Sequence, residues 1–335
     1  MARTPKHLKD LYAVLSPSDR LLIIMKPDPD ALSSAWALKR IVTGKVQSSA
    51  VAHVGEIQRL DNRAMVRILK IKSERLDKID VSSYSKVAIV DAQPDHFDGV
   101  TIPDADIVID HHPLLTPSSA AYSDIRPKLG ATATIMTEYL VRGKIKIPTP
   151  LATALCFGIK TDTNGLTRST SRRDVSAYAH LLPLANMRSL RQIEYERIAR
   201  SDLELIGRAV PLIQVRKKFL FVFLEGPVQG DSLVILADTF IGVAGVQAVA
   251  VASTYRNRVI VVLRGKGSRT DVGRAARDSF GAIGSAGGHK SAARAEIKIG
   301  ELPEAAGSGE DSEKLGAWIR RAIQTSLAPR RKAAS

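Results

Sequence analysis

The chain has 335 residues, 44% hydrophobic and 25% charged, which excludes a disordered polymer and, by length, favours two domains over one. Its 49 Lys and Arg against 34 Asp and Glu give a net charge of +15 and a pI near 10.0, a field that draws polyanions such as nucleotides and nucleic acid. A 5% aromatic content argues against a broad base-stacking platform, and the single Cys156 excludes an intramolecular disulfide and a multi-cysteine zinc site.

The N-terminal stretch "MARTPKHLKDLYAVLSPSD" has scattered charges and no apolar core, so it does not read as a signal peptide. "LLIIM" (Leu21–Met25) is a short continuous apolar run, the pattern of a strand buried on both faces. A helix, "ALSSAWALKRIV", follows, with Asp30 or a neighbour as its cap. "SSAVAHV" predicts a second strand and "DNRAMVRILKI" a helix beginning near Asp61. "KVAIV" and "ADIVI" are two further buried strands, and "GATATIMTEYLVRG" and "PLATALCFGIKT" are helices; Cys156 in the latter reads as a packing residue. Alternation of this kind implies a parallel sheet with helices on both faces.

The charged, helical "MRSLRQIEYERIARSDLELIGRAV" reads as a connector, which divides the chain into domains at 1–190 and 211–325, with 191–210 between them. "FLFVFLE" is a strand, and "VQAVAVASTYRNRVIVVLRG" a hairpin turning at Arg256-Asn257. "DVGRAARDSF" is a helix, "GAIGSAGGHKSAARAEIKI" a glycine-rich loop entering a last strand, and 326–335 a basic, disordered tail. The long apolar stretch "LVILADTFIGVAGVQAVAVAS" is broken by Asp238 and by glycines, so it reads as core and not as a membrane span. A cytoplasmic protein is expected.

Ligands of a parallel sheet bind beyond the carboxyl ends of its strands. Three predicted strands end in acids or histidines there: Asp28 and Asp30, then Asp91, then Asp110, His111 and His112. Asp162 in "GIKTDTNG" follows a helix at the same rim. One aspartate after a strand is an ordinary turn former or cap, but three consecutive strand ends gather carboxylates that repel unless a cation compensates them. Mixed carboxylate and imidazole donors suit Mn²⁺ or a similar divalent ion, and two such ions roughly 3.5–4 Å apart serve in-line phosphoryl hydrolysis.

"KPDPDALSSA", "VDAQP", "IDHHP" and "GIKTDTNG", in this order, resemble the four motifs of the DHH phosphoesterases, and "FGAIGSAGGHKSAARA" resembles the glycine-rich motif of their DHHA1 domain. The resemblance implies a two-domain α/β fold, a parallel-sheet DHH domain followed by a smaller DHHA1-type domain, with the active site in the cleft between them. Plain two-domain organisation points to the oligoribonuclease and 3′-phosphoadenosine-5′-phosphate phosphatase branch. The implied partners are short RNA or DNA oligonucleotides or nucleotide bisphosphates, with no membrane and a homodimer left open. By the same resemblance Asp28 serves a first Mn²⁺, Asp30, His111 and Asp162 a second, and Asp91 bridges both. His112 faces the phosphate, Asp110 orients the histidines, and Arg264, Gly287, Gly288 and His289 hold the rest of the substrate.

One departure stands out. The family's first motif usually opens with a histidine ligand where this chain has Ile24, which implies a weakened first metal site. Lys26 is placed to neutralise the carboxylates or to grip phosphate, and His96 reads as a solvated loop histidine, with a substitute ligand as the rarer alternative. A binding protein of the same fold with weakened catalysis, and a polyphosphate hydrolase, are the alternative readings.

Overall fold

The apolar run Leu21–Met25 lies within β1 (Arg20–Met25) of a computed structural model that describes residues 6–327 except 98, 115, 197, 268–269 and 308–310. The chain divides into two compact units, residues 1–197 and 198–335.

In the first unit α1 (Lys6–Ala13) precedes β1, and α2 (Pro29–Ile41), β2 (Ser48–His53), α3 (Leu60–Leu69), β3 (Glu74–Arg75), β4 (Lys86–Val90), β5 (Ile107–Asp110) and β6 (Tyr122–Ile125) follow. Four helices complete it: α4 (Thr132–Arg142), α5 (Thr149–Asp162), α6 (Arg172–Leu181) and α7 (Met187–Tyr195). The strands form one all-parallel sheet in the order β3-β2-β1-β4-β5-β6. The chain therefore builds outward from β1 on one side and returns to β4 on the other, so the order reverses between β1 and β4. That reversal opens a crevice at the carboxyl ends of those two strands.

Alternate residues of β1 serve opposite cores, as a two-period strand requires. Leu21, Ile23 and Met25 pack with the α-helices, whereas Leu22 and Ile24 join Leu76, Ile89 and Phe97. The helices expected on this second face are single 3₁₀ turns, Leu76–Lys78 and Val81–Ser83, together with connecting segments. Short edge strands β3 and β6 extend the sheet beyond the four strands expected.

The second unit contains α8 (Arg200–Ala209), β7 (Gln214–Arg216), β8 (Phe219–Pro227), α9 (Gly230–Phe240), β9 (Ala248–Tyr255), β10 (Arg258–Gly265), α10 (Val272–Phe280), β11 (Ser285–Gly288), β12 (Ala292–Lys298) and α11 (Ser312–Leu327). Its sheet runs β11-β12-β10-β9-β8-β7, with β8 and β9 parallel and the other neighbours antiparallel. Phe219 and Phe221 face α10 and α11, while Leu220, Val222 and Leu224 face α9. The β9–β10 hairpin turns at Arg256 (φ +46°) and Asn257 (φ +60°), the left-handed pair of a tight two-residue turn.

Three expectations are corrected here. The glycine-rich segment is an edge strand as well as a turn: Gly287 pairs with Arg294 and Gly288 with Ala293. Gly288 sits at φ +136°, where a Cβ would lie 2.4 Å from the Ala292 carbonyl oxygen, so only glycine allows this pairing. The expected connector is two helices, α7 ending at Tyr195 and α8 starting at Arg200, which belong to different units. Of the expected tail, residues 326 and 327 belong to α11 and 328–335 lie outside the described residues. No helix among the described residues is long and apolar enough to cross a membrane.

Candidate active site

The chain leaves β1 through Lys26 and Pro27 and starts α2 at once. Asp28 is the N-cap of α2, accepting a hydrogen bond from the Ala31 amide at 2.8 Å, with Pro29 in the first helical position. Asp30 is fully buried in the first turn, and its oxygens accept the amides of Thr132 (2.6 Å) and Ala133 (2.7 Å). Those amides open α4, whose own N-cap residue, Ala131, has no side chain to cap with. Asp30 is thus a cap supplied from another helix, and the positive end of α4 supports its charge.

Asp91 directly follows β4 with φ +57°, an uncommon conformation that aspartate tolerates better than most residues. Its amide donates to the Ile109 carbonyl at 2.9 Å and its Oδ1 accepts the Thr132 hydroxyl at 2.7 Å. Asp162 ends α5. Gly158, one turn earlier, lets α5 lie against α2: a Cβ there would be 2.5 Å from Ser33 Oγ and 3.1 Å from both Asp30 Cα and the Pro29 carbonyl oxygen.

These segments meet at His111. Its Nδ1 donates to the Leu129 carbonyl at 3.2 Å, an oxygen that can only accept, so Nε2 is the atom aimed at the acids. Nε2 lies 3.2 Å from Asp162 Oδ2, 3.6 Å from Asp91 Oδ1 and 3.9 Å from Asp30 Oδ2. It is buried and has no aligned hydrogen-bond partner. Burial disfavours its charged form, but the carboxylates of Asp162 and Asp30 outweigh that and hold its pKa up at about 9.

The acids respond in the opposite sense. Burial, then repulsion by Asp162 and Asp30, pushes Asp28 up to about 7; burial and Asp162 push Asp30 up to about 6. Asp91 is driven well above the carboxylate range by burial and by Asp30 and Asp28. A cluster in which Asp28, Asp30 and Asp91 all resist ionisation is one that gains by taking up a cation.

Asp110 is the exception. Burial opposes its ionisation, yet hydrogen bonds from His112 Nδ1 (2.8 Å), Gln93 Nε2 (2.7 Å) and the His111 amide (2.8 Å) accompany a pKa held down to about 2. It fixes the His112 ring and leaves that ring's Nε2 outward, on a side chain 39% exposed.

Among the described residues, three sets of side chains each bring candidate metal-ligating atoms within 4.8 Å of one another: Asp30, His111 and Asp162; Asp91, His111 and His112; and His96, Asp110 and His112. The buried, unpartnered imidazole nitrogen among carboxylate oxygens fits a divalent ion. Asp28 belongs to none of these sets. Ile24 is fully buried with Ile89, Ala92 and Phe97 in the apolar layer. Lys26 makes no ion pair with these acids among the described residues: its Nζ donates to the His96 carbonyl and sits 5.5 Å from the Phe97 ring centre. His96 stands edge-on to His112 at 5.4 Å between ring centres, and its Nδ1 accepts the Gln93 amide at 3.1 Å.

In the second unit Arg264 pairs with Asp238 at 2.5 Å, opposite Ala292 in the sheet. Gly287, Gly288 and the exposed His289 lie at the β11–β12 end, where the His289 amide donates to the Ala292 carbonyl at 2.8 Å. The supporting roles of Thr132, Gln93, Leu129 and Gly158 were not anticipated. Only a helix start with no capping side chain, in "GATAT", hinted that α4 took its cap from elsewhere.

The model of the DHH family, N-terminal domain, matches residues 21–159. An uncharacterized protein of Methanocaldococcus jannaschii is 32% identical over 308 residues, which are 92% of this chain and 63% of that protein; the chain thus spans less than two thirds of this relative. An A-adding tRNA nucleotidyltransferase of Aquifex aeolicus is 34% identical over 110 residues, 32% of this chain and 13% of the enzyme. The crystal structure of an exopolyphosphatase-related protein from Bacteroides fragilis matches 96% of each chain with a TM-score of 0.72 at 17% identity, a likeness of fold.

Proposed function

From a chain whose N-terminal unit belongs to the DHH family, we infer a metal-dependent phosphoesterase that hydrolyses short oligonucleotides or nucleotide phosphates such as nanoRNA and 3′,5′-bisphosphates. The observation that carries this reading is His111 Nε2, buried and unpartnered with carboxylate oxygens of Asp162, Asp91 and Asp30 at 3.2, 3.6 and 3.9 Å. Asp30, Asp91, His111 and Asp162 would hold one Mn²⁺, and Asp28 with Asp91 would serve a weaker second site. When bound, such an ion polarises a phosphoryl oxygen and activates water for in-line displacement.

The protein's own groups supply positioning. The α4 amides hold Asp30 and the Leu129 carbonyl holds the His111 ring, so their donor atoms are aimed before any ligand arrives. Asp110 fixes His112 so that Nε2 can bind and orient a phosphate oxygen. Arg264, Gly287, Gly288 and His289 are assigned to the remainder of the substrate; the backbone of the two glycines can approach a phosphate without side-chain obstruction.

A second reading, a binding protein with weakened catalysis, draws on Ile24, which is fully buried and offers no donor. Hydrolysis assays with Mn²⁺ on short RNA, adenosine 3′,5′-bisphosphate and polyphosphate separate the two. Turnover of RNA or bisphosphate supports the proposal; turnover of polyphosphate alone overturns its substrate class. Tight metal binding without turnover of any of them leaves the binding reading.

A further inference from the structure

Asp174 is a fully buried acid to which neither the metal centre nor the substrate gives a task. It lies in the first turn of α6, where Ser171 is the N-cap and the two residues close a capping box. That box engages Oδ2 alone, which accepts the Ser171 amide at 2.7 Å and the Ser171 hydroxyl at 2.6 Å. The same oxygen also accepts the Gly130 amide at 3.0 Å, and Oδ1 accepts the Thr134 hydroxyl at 2.6 Å. Burying a carboxylate is costly unless donors fill its oxygens. Here half of the donors come from a segment 40 to 44 residues away, which the capping of α6 does not require.

That segment carries the supports of the metal centre. Leu129, next to Gly130, gives the carbonyl that accepts His111 Nδ1 at 3.2 Å. The Thr132 and Ala133 amides hold Asp30, and the Thr132 hydroxyl holds Asp91. Asp174 grips this stretch on both sides, at Gly130 and at Thr134. The chain beyond Asp162 meets it at the same place: a Cβ on Gly130 would lie 2.6 Å from Thr163 Cγ2, 2.9 Å from the Ser169 carbonyl oxygen and 3.2 Å from Asp174 Oδ2.

The loop that follows Asp162 is strained. Asn164 (φ +48°), Leu166 (φ +65°) and Ser169 (φ +48°) take the left-handed conformation without being glycine, which persists only where the surroundings over-determine it. Thr163 Oγ1 accepts the Leu166 amide at 3.0 Å, and Arg168 donates to the Asp162 carbonyl at 2.9 Å. The Ser171–Asp174 box closes the loop at its far end.

We propose that Asp174 is a positioning residue of the metal centre. It acts through Gly130 and the Leu129 carbonyl on the His111 ring, and through the loop 163–171 on Asp162. His111 Nε2 and Asp162 Oδ2, 3.2 Å apart, face each other because the segments that carry their supports are tied to one buried carboxylate. The consequence for metal rests on the metal-dependent reading of the site; the hold on the His111 ring does not.

The test uses the full chain with isotope-labelled histidines, first without metal and then titrated with Mn²⁺. The His111 ring N–H, assigned by its loss in His111→Ala, should exchange slowly in the parent; that of His112, bonded to Asp110 at 2.8 Å, is the internal reference. Asp174→Ala should erase the His111 signal, spare the His112 signal and weaken Mn²⁺ binding about tenfold. Asp174→Asn should restore both, because its oxygen keeps the Gly130 and Ser171 donors while its amide faces a Thr134 hydroxyl that can turn to accept. Asp202→Ala is the control for capping alone: this acid accepts the Ala199 amide at 2.8 Å at the start of α8, and its loss should lower the melting temperature without changing either readout. Should Asp174→Ala not fold, Thr134→Val, which removes one of the four donors, decides by a faster-exchanging His111 proton and an affinity loss of about threefold. A parent-like His111 proton and Mn²⁺ affinity in the variant that folds, with only the melting temperature lowered, overturns the proposal and leaves Asp174 a helix cap. A parent that binds no Mn²⁺ refutes the metal reading, and the His111 proton alone then decides the positioning role.

Discussion

Replacing Gly158 with alanine tests whether the contact between α2 and α5 sets the geometry of the acids. The new Cβ would lie 2.5 Å from Ser33 Oγ and 3.1 Å from both Asp30 Cα and the Pro29 carbonyl oxygen. Ser33 can rotate away; the backbone of Asp30 cannot, so α5 must move by a few tenths of an ångström. Overpacking of this kind costs about 1–3 kcal/mol, offset by ~1 kcal/mol gained when alanine replaces a helical glycine. The net is a loss of about 0–2 kcal/mol. The larger effect falls on the site, because Asp162 one turn on would be displaced from His111 Nε2, now 3.2 Å away. Mn²⁺ affinity should fall about tenfold or more, equivalent to ~1.4 kcal/mol, measured by calorimetric titration alongside thermal melts. Gly207→Ala is the control: it lies in α8 with nothing within 4 Å of a new Cβ, so it should gain stability by up to ~1 kcal/mol and leave metal binding alone. If Gly158→Ala behaves like that control, the close contact does not position the site.

Asp91→Asn should abolish hydrolysis and most metal uptake while raising the melting temperature of the metal-free protein, since a buried acid repelled by Asp30 and Asp28 is removed; metal analysis and melts read both arms. Asp110→Asn should leave metal content nearly intact but cost about 10–100-fold in turnover, because His112 loses the carboxylate that fixes its ring. Asp28 and Asp30 have folded pKa values raised to about 7 and about 6, so the folded state holds more protons than the unfolded one between about pH 4 and 7. Stability of the metal-free protein should therefore fall through that window as pH rises, and Asp28→Asn, which retains the cap, should flatten the profile; an unchanged profile would contradict the assignment.

The strands that were legible are those buried on both faces, such as Leu21–Met25 and Lys86–Val90, where continuous apolar sequence leaves no other reading. The acids at their ends were legible for the same reason, since each interrupts such a run. β6 was not: "YSDI" alternates buried and exposed residues, and Asp124 is buried only because Arg126 and Tyr139 answer it. The role of Asp30 as the cap of α4 depends on amides 102 and 103 residues away, beyond any local pattern. The partner of Lys26 was hidden for a similar reason, because a carbonyl 70 residues along, in a turn packed against Ile24, takes its ammonium group. β11 was hidden by its glycines, which carry little strand preference and reveal themselves only through pairing.

The most direct test of a metal centre built around His111 is calorimetric titration of the full chain with Mn²⁺, in two buffers of different ionisation enthalpy, for the parent and His111→Ala. The parent should bind Mn²⁺ and release protons, because the imidazole and the raised carboxyls must give theirs up to ligate. His111→Ala should bind at least tenfold more weakly and release fewer protons. Equal affinity and equal proton release in the two proteins, or no binding by the parent, would contradict it.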